Sequence, residues 1–299
     1  MLARLAFMAF LWQQTAKMSE FAIQFVMTKL TSVFLGPVGA GIYGVVGSTL
    51  GLILIGSLFG FEVSANNFLA RNADNPNRIS FLARALFSRR FVIVIILGLG
   101  MFIGAPALAN ITNIQNPVYY RFAALILIFS STSSLLTYFQ FALFRNKQAM
   151  FARVGSLIVQ VALLLWFLRH GWGVRGALIA QTLGMAFMFI WFAALGFKLM
   201  IPKPEPIPLK PVYKFGITLW VQDLMNFAIS KSAAIWILSI FAVPMNLIGL
   251  CNAAFNVRMM VDGFFIQGMG ATALAATARI AKQGSGERLP QAWLYNVKT

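Results

Sequence analysis

Residues 91–110, Phe91-Val92-Ile93-Val94-Ile95-Ile96-Leu97-Gly98-Leu99-Gly100-Met101-Phe102-Ile103-Gly104-Ala105-Pro106-Ala107-Leu108-Ala109-Asn110, hold no ionisable side chain and follow directly on Arg89-Arg90. A helix crosses a hydrocarbon core ~30 Å thick with ~20 apolar residues, so this stretch is long enough to span a bilayer. Further apolar runs recur at 13–35, 43–65, 119–142, 154–168, 176–197, 215–241 and 248–275. The run at 154–168 is short and needs Arg153 and Arg169 as snorkelling ends. Uninterrupted runs of this kind satisfy their backbone as helices, whereas barrel strands alternate polar and apolar residues. The expected fold class is all-α: a polytopic helical membrane protein with about eight transmembrane helices.

Composition agrees. The chain is 60% hydrophobic and 10% charged, with mean hydropathy +0.79. A soluble fold of 299 residues has no means of covering that much apolar surface. A net charge of +17 suggests nucleic acid in a soluble protein, but its distribution argues against that partner here. With the chain start in the cytoplasm, the inside segments hold Arg4, Lys17, Arg71, Arg78, Arg84, Arg89, Arg90, Arg145, Lys147 and Arg153. They also hold Lys198, Lys203, Lys210, Lys214, Arg279, Lys282, Arg288 and Lys298, against Arg121, Arg169 and Arg175 in the outside connectors. By the positive-inside rule both termini are cytoplasmic, in a multi-pass protein of the plasma (inner) membrane. Cys251 and His170 are each the sole residue of their type, so neither a disulfide framework nor a metal-ligand spacing exists, and no metal or cofactor is expected.

The outside connectors, Gly36 to Gly41, Asn110 to Pro117, His170 to Val174 and Val243 to Leu247, are short enough to fold successive helices into antiparallel hairpins. The inside segment 66–90 is longer and polar, and is expected to carry a short amphipathic helix on the membrane surface. Residues 201–211, Ile-Pro-Lys-Pro-Glu-Pro-Ile-Pro-Leu-Lys-Pro, hold five of the eleven prolines and predict an extended, semi-rigid spacer. It reads as the hinge between two lobes: a six-helix N-terminal lobe over 1–200, a cytoplasmic linker over 201–211, and the first two helices of a C-terminal lobe over 212–299. An internal repeat supports that division. Ser32-Val33-Phe34-Leu35-Gly36-Pro37 parallels Ser239-Ile240-Phe241-Ala242-Val243-Pro244, and Gly41-Ile42-Tyr43 parallels Gly249-Leu250-Cys251. A second unit as large as the first would continue for four more spans, so the chain reads as truncated.

Three motifs, in this order and spacing, carry a resemblance. Phe34-Leu35-Gly36-Pro37-Val38-Gly39-Ala40-Gly41-Ile42-Tyr43-Gly44 is similar to a turn after a first transmembrane helix. His170-Gly171-Trp172-Gly173-Val174-Arg175-Gly176-Ala177 is similar to a glycine-rich turn between a fifth and a sixth. Phe215-Gly216, followed by a helix, a turn and Gly249-Leu250-Cys251-Asn252-Ala253-Ala254, is similar to the opening of a second lobe. Over residues 18–299 the chain resembles the polysaccharide biosynthesis, or O-antigen flippase, family of the multidrug/oligosaccharidyl-lipid/polysaccharide exporter superfamily. The resemblance implies two helical bundles facing each other across a central cavity. It also implies passage of undecaprenyl-pyrophosphate-linked oligosaccharide from the cytoplasmic to the periplasmic leaflet, alongside other polysaccharide-assembly membrane proteins.

Polar residues inside spans are costly and are candidates for function. On a helical wheel with Glu20 at zero, Gln13, Lys17, Gln24, Thr28 and Thr31 fall within an arc of about 80°, a stripe that faces protein or water. Lys29 lies on the opposite face, either snorkelling to the outer interface or lining a cavity. Lys17 and Glu20 are three apart and either neutralise each other or serve the cavity. The seventh run carries Asp223, Asn226 and Lys231; the eighth carries Asn252, Asn256, Arg258, Asp262 and Gln267. Arg258 and Asp262 are four apart and either pair to fix packing or line the cavity.

Lys231, Arg258, Lys29 and Lys17 are therefore the candidate cationic lining for a pyrophosphate headgroup. Glu20, Gln24, Asp223, Asn226, Asn256 and Asp262 are candidates for polar lining or for coupling to a proton or sodium. Fixed cations in a wet cavity replace part of the headgroup's hydration. No phosphate-binding loop, nucleophile elbow or His/Cys cluster is present, and an enzyme is not expected. Two other functions fit the sequence: a cation-coupled multidrug or toxin exporter of the same superfamily, and a non-transporting truncated membrane protein.

Overall fold

The computed structural model describes residues 2–266, with side chains at Met8 and from Leu11 to Arg258. Among the described residues there are ten helices and no strands: α1 (Leu2–Leu58), α2 (Phe61–Arg71), α3 (Pro76–Ile103), α4 (Ala105–Ile111), α5 (Val118–Ala142), α6 (Asn146–Arg169), α7 (Gly173–Met200), α8 (Lys210–Ala228), α9 (Lys231–Ile240) and α10 (Met245–Ile266). Gln267, the last basic residues and the side chain of Asp262 lie outside what is described. The chain is a polytopic helical membrane protein, as its apolar runs predict.

α1 has 57 residues, and laid straight would be ~85 Å long, nearly three times a hydrocarbon core. It folds back instead. Gly36 sits at φ 64, ψ −179, a conformation that glycine adopts without a Cβ penalty, and Pro37 opens the second arm with a ring already set for helix. The first arm lays Glu20 beside Arg153 and packs Leu30 and Leu35 on Leu164 and Leu168. The second arm returns past Gln181, which accepts from the Tyr43 hydroxyl at 2.8 Å, to Trp220, which donates to the Ile55 carbonyl at 2.8 Å. The expected hairpin is thus made at one residue.

Five helices among the described residues are long and apolar enough to cross a membrane: Leu11–Leu58, Pro76–Ile103, Val118–Ala142, Asn146–Arg169 and Gly173–Leu199. With α1 folded back they supply six crossings. α6 reaches its length by taking in residues 146–153, with Asn146, Lys147, Gln148 and Arg153 as their polar members, ahead of its short apolar run. Large apolar side chains point outward around the bundle, among them Val33, Ile96, Ile103 and Ile190, as hydrocarbon allows and water does not.

Three details correct the sequence reading. The second crossing stops at Leu58 rather than 65, broken at Phe59 (φ 42) and Gly60 (φ 64). The helix that follows does not lie on the membrane surface. α2 is buried, with Phe61, Ala65 and Leu69 inside the core and the Ser64 hydroxyl donating to the Val212 carbonyl at 3.0 Å. Those three apolar residues recur every fourth position and form one face, a stripe that the asparagines between them obscure. The polar segment also ends sooner than 90: Asn75 accepts from the backbone N–H groups of Asn77 (3.0 Å) and Arg78 (3.2 Å), and so caps α3 at Pro76.

α5 is the central post, with Tyr120, Ile126, Leu127, Leu135, Leu136 and Phe139 essentially inaccessible. Around it the core forms two apolar clusters. One gathers Leu69, Leu82, Leu86, Phe192 and Val212. The other gathers Val45, Val46, Val174 and Leu178 with Ile235 of α9 and Ile248 of α10. The proline-rich stretch between α7 and α8 is extended, and it is fastened to α3. Glu205 accepts from Arg78 Nε at 2.6 Å and Asn75 Nδ2 at 2.8 Å, while Ser80 donates to the Pro202 carbonyl at 2.7 Å.

Candidate functional site

The polar stripe of α1 faces a cavity of about 710 Å³. Lys17, Glu20, Gln24, Thr28 and Thr31 line its α1 side, with Arg153 from α6 and Gln181 from α7 beside them. Lys231 and Ser232 of α9 and Asn252 and Asn256 of α10 line the facing wall. Helical spacing explains the first wall, since positions 17, 20, 24, 28 and 31 fall on one face. The facing wall has a different cause. The seventh run is not one helix: α8 ends at Ala228, and Ser230, whose hydroxyl accepts from the Ala233 N–H at 3.3 Å, caps a new helix. Lys231 is its first residue, so a lysine and the partial positive charge of a helix N-terminus meet the cavity together.

Two groups of polar contacts organise the cavity. Glu20, buried at 4% exposure, lies 3.5 Å from Lys17 Nζ through one oxygen and pairs through the other with Arg153 Nε. Lys231 Nζ donates to the Asn256 side-chain oxygen, a neutral partner. Asn252 donates to the Ala40 carbonyl at 3.4 Å, tying α10 to the second arm of α1. Among the lining side chains three cations stand against one carboxylate, amid amides and hydroxyls.

A second cavity, about 640 Å³, lies within the first six crossings and shares Lys17, Glu20, Gln24 and Arg153 with the first. Its remaining wall includes Gln13, Glu62, Asn66, Ser134 and Tyr138. Glu62 is held at 3.4 Å by Arg90, which is fully buried and also donates to the Ser57 carbonyl at the broken end of α1. Among the described residues, no group of three or more His, Cys, Asp and Glu side chains gathers where a metal could sit.

The structure brings Lys17, Glu20, Gln24, Lys231 and Asn256 to one cavity. It does not bring the other candidates there. Lys29 is exposed on the far face of α1. On α8, Asp223 is half-buried and Asn226 exposed, and neither is among the residues lining the two cavities. Arg258 is exposed on α10, outside both linings; the Asp262 side chain lies outside the described residues. Sequence reasoning missed Arg153, Gln181 and the Glu62–Arg90 pair. From sequence Arg153 reads as a residue of the membrane rim, and Arg90 as one of the cytoplasmic charges. No local pattern in the sequence singles these residues out, because each of their contacts joins positions far apart in the chain.

Comparison with known proteins gives the chain relatives. The family described as polysaccharide biosynthesis protein matches residues 9–274. No curated protein matches the sequence. Several solved structures share the fold. An outward-facing multidrug resistance MATE family transporter of the MOP superfamily aligns with TM-score 0.71 at 16% identity, over 97% of this chain and 68% of that one. The MATE multidrug transporter DinF-BH aligns with TM-score 0.71 at 17% identity, over 99% of this chain and 69% of that one. A MOP superfamily transporter from Pyrococcus furiosus, for which a reversed binding-pocket polarity suggests a different function, aligns with TM-score 0.69 at 18% identity, over 97% and 68%.

Proposed function

This chain belongs to the polysaccharide biosynthesis protein family, and on that premise we propose that it carries a polyprenyl-pyrophosphate-linked oligosaccharide from the cytoplasmic to the outer leaflet of the inner membrane by alternating access. The observation that supports this reading best is the charge of the first cavity, where Lys17, Arg153 and Lys231 stand against Glu20 alone among the lining residues. A pyrophosphate cannot enter hydrocarbon without partners. Guanidinium and ammonium groups in a wet cleft replace its lost hydration, with Arg153 suited to forked contacts with phosphate oxygens. The amides of Gln24, Gln181, Asn252 and Asn256 supply donors and acceptors of the kind that sugar hydroxyls use. The polyprenyl chain stays in lipid while the headgroup crosses through the cleft.

The fold shared with MATE multidrug transporters supports a second reading, a cation-coupled drug exporter. The cavity weighs against it, because a cationic drug entering there meets an excess of like charge.

The test uses the purified chain in vesicles loaded with a fluorescent polyprenyl-pyrophosphate disaccharide. Translocation is followed by quencher access, with an organic cation as the competing cargo. The lipid-linked sugar should cross at a rate that falls at least tenfold in K231A, while the cation does not move. Cation movement with an unmoved sugar would reject the flippase.

A further inference from the structure

We propose that Glu20 is a built-in competitor for the anionic headgroup: its carboxylate holds the Lys17–Arg153 pair, and an arriving pyrophosphate must displace it. The inference rests on the function proposed above and assigns a specificity residue within that site.

The cavity has two cationic stations, and they are not alike. At one, Lys231 is met by the neutral side chain of Asn256. At the other, Lys17 on α1 and Arg153 on α6 are already bound to a carboxylate, one oxygen each. Glu20 is nearly inaccessible, while its two partners remain partly exposed, with side chains at 28% and 37%. The carboxylate is therefore the inner member of the cluster and the cations face the cleft. Glu20, Lys17 and Arg153 also line both cavities, so this cluster is the partition between them.

Charge decides what such a cluster does. Lys17 and Arg153 without an anion between them would repel, and the buried carboxylate of Glu20 offsets both. A phosphate group offers the same two acceptor positions with more charge, so it exchanges with the carboxylate rather than falling into an empty trap. Exchange weakens binding, and a carrier needs that weakness because its cargo must leave again. Exchange also filters. A neutral headgroup cannot outcompete a carboxylate for two cations, and a cationic molecule has no reason to.

The experiment is calorimetric titration of the detergent-solubilised full chain with farnesyl pyrophosphate, with farnesol as the uncharged control. Wild type should bind farnesyl pyrophosphate and ignore farnesol. E20Q, which removes the competing charge, should bind it about tenfold more tightly and translocate more slowly in vesicles. E20D keeps the charge on a shorter arm and should bind between the two. If wild type binds and E20Q binds no better, the competitor role is overturned. If wild type binds neither probe, or both equally, the pyrophosphate reading of the cavity falls and takes this inference with it. Should E20Q show no cooperative thermal transition, E20D decides alone: tighter than wild type supports the role, equal or weaker binding overturns it.

Discussion

Gly41 and Gly249 bring the second arm of α1 and α10 into backbone contact. A Cβ on Gly41 would fall far inside van der Waals distance of the Met245 carbonyl oxygen, and one on Gly249 would meet the Pro37 carbonyl oxygen in the same way. Small residues allow this approach between membrane helices, where packing and not water drives association. The contact borders the cavity, whose lining includes Ala40, Gly249 and Asn252.

G249A should therefore push α10 away from α1 and lower stability by ~1–3 kcal/mol, as overpacking does. Gly47 lies on the same arm with nothing within 4 Å of its missing Cβ, and G47A should leave stability unchanged or raise it slightly. Unfolding in mixed micelles measures both. Equal transitions for G249A and wild type would show that the backbones do not meet as described.

The Glu62–Arg90 pair makes a sharper demand. Arg90 has no exposed surface, and Glu62 little, so either residue left alone is a poorly hydrated charge without its counterion. R90M or E62M alone should cost about 3–5 kcal/mol, whereas R90M/E62M together should recover most of that loss. A double-mutant cycle read from denaturant unfolding reports the coupling. Additive losses would mean that the two charges do not depend on each other.

Much of this fold was legible because lipid imposes a strong rule: crossing segments must be apolar and helical, and their lengths can be counted. The reversal at Gly36, the extended proline stretch and the shared face of Lys17, Glu20 and Gln24 all follow from local chemistry. What escaped was long-range pairing. Arg90 reads as one more basic residue in a cytoplasmic cluster, and its burial becomes evident once the chain breaks at Phe59 and Gly60 and exposes the Ser57 carbonyl as an acceptor. The break at Ser230 was locally encoded too, as a capping serine before Lys231, but the apolar residues on both sides conceal it. Arg258 differs: its mid-span position suggests a cavity, while the structure leaves it exposed on α10 outside both linings.

Glu205 supplies a pH-dependent fastening. Its hydrogen bonds from Arg78 and then Asn75 hold its carboxyl below the usual range. A depressed folded value means that the fastening contributes fully above the unfolded value of ~4.3 and is lost as pH falls through the lower folded one. The group is exposed, so the effect is local. Hydrogen exchange of the Glu205 amide, which donates to the Asn77 carbonyl at 3.2 Å, should lose protection below about pH 4 in wild type once corrected for intrinsic rates. E205Q should show weaker protection that no longer changes over that window. Constant wild-type protection down to about pH 2 would show that the linker does not depend on this carboxylate.

Lys29 and Lys231 are both lysines inside apolar segments, yet they face different media. Lys231 lines the cavity with Ser232 and Asn256, while Lys29 is exposed on the α1 face away from it. Thiol chemistry separates them, because the reactive thiolate forms where water reaches and hydrocarbon suppresses it. Cys251 is exposed and must first be replaced by serine. In that background K231C should react with a membrane-impermeant maleimide at least tenfold faster than K29C in reconstituted vesicles. Farnesyl pyrophosphate should slow K231C and leave K29C unaffected. Faster reaction at position 29 would turn the first arm of α1 around and with it the polar stripe on which the cavity is built.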